Sequence, residues 1–314
     1  MSEESKLSPH ILELAKKFNL PDSFLNQEEY LFYNLFLKPD LHNALVENTE
    51  VNENDIMDRT EVIDDFRASI KDNDMTFLGV DHASYRDHEA IALMLTKVDL
   101  KDSCIAIEYP PRLQPFIDLF LATGKFRETD DPQSYTLIYK SIQRISGFSE
   151  VPFSLKGTIM DEFPELTQLY PILLAARVKN VPVVCFDSLG EVESTRSQAS
   201  EDAMYQNLAS INEKKVIVVA GGNHAKKGVY TDGENTINSI RTLCDDNGKN
   251  ARSYHFDSLQ TMHFDWQVDE VTETVLHAAV CKKAENLGKK SNVIGYKNQM
   301  VDKLGGTEVY IAVS

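Results

Sequence analysis

Two histidines in matched surroundings are the residues of this sequence best suited to chemistry. His82 closes the run Gly79-Val80-Asp81-His82, and His224 closes Gly221-Gly222-Asn223-His224, so each ends a G-x-x-H motif. Neutral imidazole binds divalent metals and exchanges protons near working pH, so the pair can ligate a metal ion or serve as acid and base. A carboxylate joins them: Glu108 ends the apolar run CIAIEYP. A Glu in such a partly dry crevice can have a raised pKa and act as a general base toward water. Asp81 is placed to orient His82 or bind metal, or equally to cap the turn that follows. The plainer alternatives are loop histidines bonded to backbone and, for Glu108, an ion pair at a strand end.

Both histidines need a strand behind them. Met75–Val80 and the β-branched run Lys215–Ala220 are apolar throughout, as expected of strands buried on both faces. Each runs directly into its motif, and a Gly at the strand end lets the chain turn back over the sheet edge. In α/β sheets the crevice beyond the carboxyl ends of the strands is where side chains converge on a ligand. Strands are also expected at Ser103–Tyr109, Val181–Phe186, Ala251–Phe256 and Glu308–Val313. Helices are expected at His88–Lys97, Leu113–Ala122, Gln133–Ile145, Pro164–Val178, Gln198–Ile211, Thr236–Cys244 and Val271–Glu285. Lys282 to Lys297 reads as a solvated surface. This alternation predicts an α/β fold with a largely parallel central sheet covered by helices, residues 71–314, beside an N-terminal helical lobe, residues 1–70.

Weaker candidates stand at the same edge. Asp187 follows the strand Val183–Phe186, and Arg196, in the next loop, can hold a substrate carboxylate, a phosphate or a developing oxyanion, or form a surface salt bridge. His88 and Glu89 open a helix, where a first-turn Glu is as readily a cap. Tyr85, Tyr109 and Trp266 can line a pocket or bind haem, or simply pack.

Composition narrows the partners. A net charge of −17 opposes nucleic acid and anionic membrane surfaces, and no apolar run is long enough to span a bilayer. Cys104, Cys185, Cys244 and Cys281 are far apart, which predicts reduced structural thiols in a cytosol-like compartment. The start, MSEESKLSPH, shows no signal peptide; cytoplasmic residence is expected, although an effector exported without a cleaved signal looks the same. There is no G-x-S-x-G elbow, H-E-x-x-H helix, Walker A loop or dinucleotide fingerprint.

From LGVDH through IAIEYPPRLQPFIDLFLATG, LYPILLAARVKNVPVVCFD and AMYQNLASI to VIVVAGGNHA, about Phe77 to Ala225, the sequence resembles the Tiki/TraB/erythromycin-esterase/ChaN-like superfamily, nearest the ChaN-like branch. The resemblance implies an EreA/ChaN-like α/β fold with His82, Glu108, His224 and, less securely, Arg196 in the site. Members are described as metal-dependent proteases, esterases that use activated water, or haem-binding proteins. The chain departs from that pattern in two places. Val80 stands where members carry Glu, with Asp81 as a stand-in. Ser200 occupies the position of an Arg, leaving Arg196 one helical turn early.

The expected function is therefore a hydrolase that cleaves an ester or amide of a small molecule or peptide. Glu108, with His82 and His224, activates water; Arg196 stabilises the anionic intermediate; a divalent ion held by His82, His224, Asp81 and Glu108 assists. Two alternatives stay open: a haem or iron-ligand binder with Tyr or His on the metal, and a catalytically inactive effector or interaction module.

Overall fold

The computed structural model describes residues 43, 46, 47, 49–82, 84–130, 162, 163, 165–188, 197–212, 215–232, 235–258, 268–297 and 306–313. Strand β1 (Ile56–Met57) precedes helix α1 (Arg59–Asp72), which starts in a capping box between Asp58 and Glu61. The all-buried strand β2 (Met75–Val80) leads through the His82 turn to α2 (Tyr85–Lys97), N-capped by Ser84. Strand β3 (Ser103–Ile107) leads to α3 (Gln114–Thr123), which stops at Gly124 in the left-handed region, φ 80°. Next come α4 (Glu165–Lys179), β4 (Val183–Cys185), α5 (Gln198–Ala209) and β5 (Lys215–Gly221). A single helical turn, α6 (Gly222–Ala225), is followed by the hairpin β6 (Val229–Asp232) and β7 (Asn235–Asn238), then α7 (Ile240–Asp246) and β8 (Ala251–Asp257). The chain finishes with α8 (Val268–Asn286), β9 (Val293–Lys297) and β10 (Val309–Val313).

Among the described residues the strands form an eight-stranded sheet in the order β1-β9-β10-β8-β2-β5-β3-β4, and β6 and β7 pair separately. Every neighbour pair from β10 across to β4 is parallel, whereas β9 runs against both β1 and β10. The sheet is buried on both sides. Leu78, Val80, Ile105, Ile107, Ile217 and Val219 point into a core shared with α1 to α4. Phe77, Ala106, Val216 and Val218 point into a second core under α5 and α7. That alternation along continuous apolar strands is what a helix-covered parallel sheet requires. The largely parallel, helix-covered sheet expected from the sequence is thus present. The four cysteines are free, and three of them are buried.

Two sequence expectations differ, and a third falls largely outside the described residues. Thr236–Cys244 is not one helix: β7 ends at Asn238, and Ser239 caps α7 by accepting from the Thr242 N–H. The Asp232-Gly233 pair was the missed hairpin signal. Lys282–Lys297 is not all solvated surface, because Val293, Ile294 and Gly295 are buried in β9. Within the 1–70 segment, residues 1–42 lie outside the described residues, while β1 joins the main sheet and Val62, Phe66 and Ile70 of α1 enter its core. The helix expected at Gln133–Ile145 also lies outside the described residues.

Gly295 shows how closely α1 approaches the sheet. A Cβ there would lie 2.6 Å from Val62 Cγ2 and 2.8 Å from Met57 Cε. Neither can retreat far, since both side chains are buried. Gly295→Ala is therefore expected to lower unfolding stability by about 1–3 kcal/mol, read as a lower urea midpoint with unchanged slope.

Candidate active site

Parallel register brings the two motifs together. In the β2–β5 pairing Val80 stands opposite Gly221, and in the β3–β5 pairing Ile107 stands opposite Val219. Three adjacent strands therefore end at one level, with His82 beyond β2, His224 in the turn α6 beyond β5, and Glu108 beyond β3. The ladder extends to Glu108, whose N–H donates to Val219 O at 2.9 Å. Its side chain then bridges both motifs. Oε2 accepts the Gly221 N–H at 2.8 Å and lies 3.4 Å from His82 Nε2, while Oε1 lies 3.1 Å from His224 Nε2. His82, Glu108 and His224, chosen from sequence, thus meet at one sheet edge.

A second carboxylate completes the cluster. Glu201 Oε1 stands 2.6 Å from His224 Nδ1 and accepts the Tyr230 hydroxyl at 2.8 Å. Tyr230, from the hairpin, presents its ring edge-on to His224 with centroids 5.4 Å apart. Sequence reasoning missed both residues. The signal for Glu201 was its place on the buried stripe of α5 with Met204, Tyr205 and Leu208, where an acid needs a partner. Tyr230 lies in the unrecognised hairpin.

The charges of this cluster assign different roles to its members. Burial pushes the His224 pKa down, but Glu108 and Glu201 on either side push it up further, to about 10, so at neutral pH it is an imidazolium. For Glu108 burial favours the neutral acid, yet the His224 charge and the hydrogen bonds from His224 and His82 overcome it and hold the carboxyl well below the usual range. This corrects the expectation of a raised glutamate pKa: a carboxylate this tightly paired is a poor base. His82 differs in access, its side chain being 41% exposed against 9% for His224, 2% for Glu108 and 0% for Glu201. Its ring also packs edge-on against Tyr109, centroids 5.7 Å apart.

The glycines of the motifs are explained by what lies against them. A Cβ on Gly221 would sit 3.0 Å from His82 Nε2, and one on Gly222 would sit 3.0 Å from His255 Cε1. His255, on β8 opposite Gly79, fills the space under the second motif. Close packing of rings over backbone, not a left-handed turn, is what favours glycine here, since Gly221 has φ −56°.

The remaining sequence candidates divide. Asp81 belongs to the His82 turn, its carbonyl accepting the Ser84 N–H at 2.8 Å. Asp187 is buried at the end of β4, its N–H donating to Tyr109 O. His88 turns inward, fully buried, with Nδ1 2.6 Å from Ser84 O. Glu89 and Tyr85 lie on α2, which starts three residues earlier than expected. Ser200 serves the cap of α5 by accepting the Ser197 N–H at 3.0 Å. Arg196 and Trp266 lie outside the described residues. The metal expectation is not supported. The donors of His82, Glu108 and His224 face one another, both nitrogens of His224 are taken by carboxylates, and no three His, Cys, Asp or Glu among the described residues are arranged to hold an ion.

Because the folded-state pKa of His224 lies above its usual value of 6.5, its contribution to stability is fully present below pH 6.5 and is lost as pH rises through about 10. His224→Gln leaves two buried carboxylates without their cation and is expected to cost about 3–5 kcal/mol at pH 6.5. Urea unfolding of both proteins should show that difference shrinking as pH rises from 6.5 to 10.5; a difference that stays constant contradicts a charged His224.

No family model matches the chain, and no curated protein sequence matches it. Three solved structures are similar in part. One, described as cofacial heme binding to ChaN of Campylobacter jejuni, is 9% identical over 82% of this chain and 96% of that one, with a TM-score of 0.41. The type III effector HopBA1 is 12% identical over 67% of this chain and 88% of its own, with a TM-score of 0.36. A structure described as bacterial protein toxins is 14% identical, TM-score 0.36, and matches 80% of this chain but 45% of its own. At these identities and scores the likenesses assign neither family nor function.

Proposed function

We propose that the protein is a hydrolase that cleaves an ester or amide, with His82 as the general base toward water. The observation that carries this is the one-sided pairing of His82. Its Nε2 faces the fixed carboxylate of Glu108, which assigns the proton to that nitrogen and leaves Nδ1 as the lone-pair atom. Nδ1 makes no hydrogen bond to any described residue, and the ring is the solvent-facing member of the cluster. An imidazole oriented by a buried carboxylate and with 41% of its side chain exposed has the parts of a general base.

The steps follow from that placement. His82 Nδ1 takes a proton from water as the water oxygen attacks the substrate carbonyl, and Glu108 stabilises the imidazolium that forms. The proton then passes from Nδ1 to the leaving alkoxide or amine, and the carbonyl is restored. His224 and Glu201 touch no reacting atom. They are positioning residues: His224 fixes Glu108 from its other oxygen, and Glu201 with Tyr230 fixes His224. With Glu108 and Glu201 negative and His224 positive, the cluster carries one uncompensated negative charge at rest. Proton uptake by His82 cancels it, which favours the intermediate over the resting state.

A panel of p-nitrophenyl esters and peptidyl anilides tests the reading. On any substrate turned over, His82→Ala should lower kcat/KM by about 10²–10⁴-fold with the fold intact by circular dichroism, and Glu201→Gln should lower it less. Full activity of His82→Ala overturns the assignment. So does the absence of turnover across the panel; a Soret band on titration with haemin, lost in His82→Ala, would then put haem binding in its place.

A further inference from the structure

The edge of the sheet opposite the histidines carries a recess of its own. Ser103 opens β3 at that edge, and Glu108 lies beyond the other end of the strand, roughly 16 Å away at about 3.3 Å per residue. The loop before β3 and the loop between α4 and β4 meet around a cavity of about 490 Å³. Asp99, Lys101, Asp102 and Ser103 line it from the first loop, and Lys179 and Asn180 from the second. Both loops turn sharply: Asp102 and Asn180, at φ 60° and 54°, are the two non-glycine residues with positive φ among the described residues. Asp and Asn are the side chains that tolerate this left-handed region.

Polar groups around the cavity are left without partners. Ser103 is 4% exposed, and its hydroxyl has no hydrogen-bond partner among the described residues. An unpaired buried hydroxyl destabilises a fold, and native proteins carry few of them. Lys179 Nζ donates to Val98 O at 2.8 Å, which occupies one of its three donors. Asp99 uses one carboxylate oxygen to accept the Lys101 N–H at 3.0 Å. Two ammonium groups and two carboxylates thus line one cavity, yet no ion pair among the described residues joins them.

We propose that this recess is a binding site for a small zwitterion of the α-amino acid class, its carboxylate between Lys101 and Lys179 and its ammonium group against Asp99 and Asp102. An anion alone meets both carboxylates, and a cation alone meets both ammonium groups. A ligand bearing both charges pairs each with its opposite. Rotation about χ1 lets the Ser103 hydroxyl donate to the ligand carboxylate. Leu100 and Pro182 add apolar surface to the same cavity, which suits an aliphatic side chain.

Heteronuclear NMR titration with L-leucine tests the site, with isovalerate and isoamylamine as probes that keep one charge each. L-Leucine should shift the Lys101, Ser103 and Asn180 amides saturably, with a Kd on the order of 0.1–1 mM, while the His224 amide at the other edge stays in place. Isovalerate and isoamylamine should each bind about tenfold more weakly. Lys101→Ala and Asp102→Asn change exposed side chains, and Asn still suits the positive φ. Each should weaken L-leucine about tenfold. Ser103→Ala should weaken it several-fold without lowering the urea midpoint, because the hydroxyl it removes has no partner to lose. No saturable shift of the three amides up to about 10 mM overturns the site. Isovalerate binding as tightly as L-leucine overturns the zwitterion assignment, as does wild-type affinity in both Lys101→Ala and Asp102→Asn. None of these measurements needs turnover, so their outcome is separate from that of the hydrolase reading.

Discussion

A carboxylate that has left water entirely must find its donors inside the protein, and Glu108 finds them at the ends of β5 and β2, the next two strands to one side of its own. The Gly221 N–H, His224 and His82 surround it, and each comes from a different point of the two glycine–histidine turns. Two buried glutamates alone would be prohibitively costly in so dry a place. A single imidazolium between them makes the arrangement tenable, because each of its nitrogens points at one acid. The alignment of three strand ends, the conformation of α6 and the inward turn of Glu201 on α5 all serve that pairing. Remove the central charge and two acids face each other with nothing between.

Much of this edge was legible in the sequence. β2 and the main body of β5 were evident because a strand buried on both faces is apolar without interruption, and each ran straight into a glycine. Glu108 could be chosen because it ends such a run. Parallel pairing then placed His82 and His224 side by side without any further signal. What could not be read was the sign of the electrostatics. A glutamate in an apolar setting gains or loses acidity according to its partners; here the decisive one is a charged His224, and part of what keeps it charged, Glu201, arrives from a helix ninety or so residues downstream. Tyr230 and β9 were hidden for a related reason. The hairpin and the lysine-rich run Lys282–Lys297 carry polar sequence whose local pattern favours surface, and tertiary pairing overrides it.

Packing around the motifs shows that a glycine can mark a crowded site as well as a bent one. His255 lies under Gly79 and Gly222, and His82 lies over Gly221, so the backbone of this edge is held between rings on both faces. Such a layer transmits small displacements, because close-packed atoms cannot be compressed. The His255 ring in turn meets Tyr310, with centroids 6.0 Å apart, and Tyr310 reaches Asp257. The surroundings of His82 and the polar group beyond β8 therefore share one continuous stack of side chains.

Among the described residues the outermost strands of the large sheet are its shortest: β1 spans Ile56–Met57 at one border and β4 spans Val183–Cys185 at the other. Unsatisfied backbone donors and acceptors along a border are what recruit a foreign strand, and two or three residues give an incoming chain too few rungs to hold. Broad sheets of this kind risk polymerising through their margins. Here the wide, rigid interior that fixes the histidine cluster is combined with borders too brief to seed a fibril.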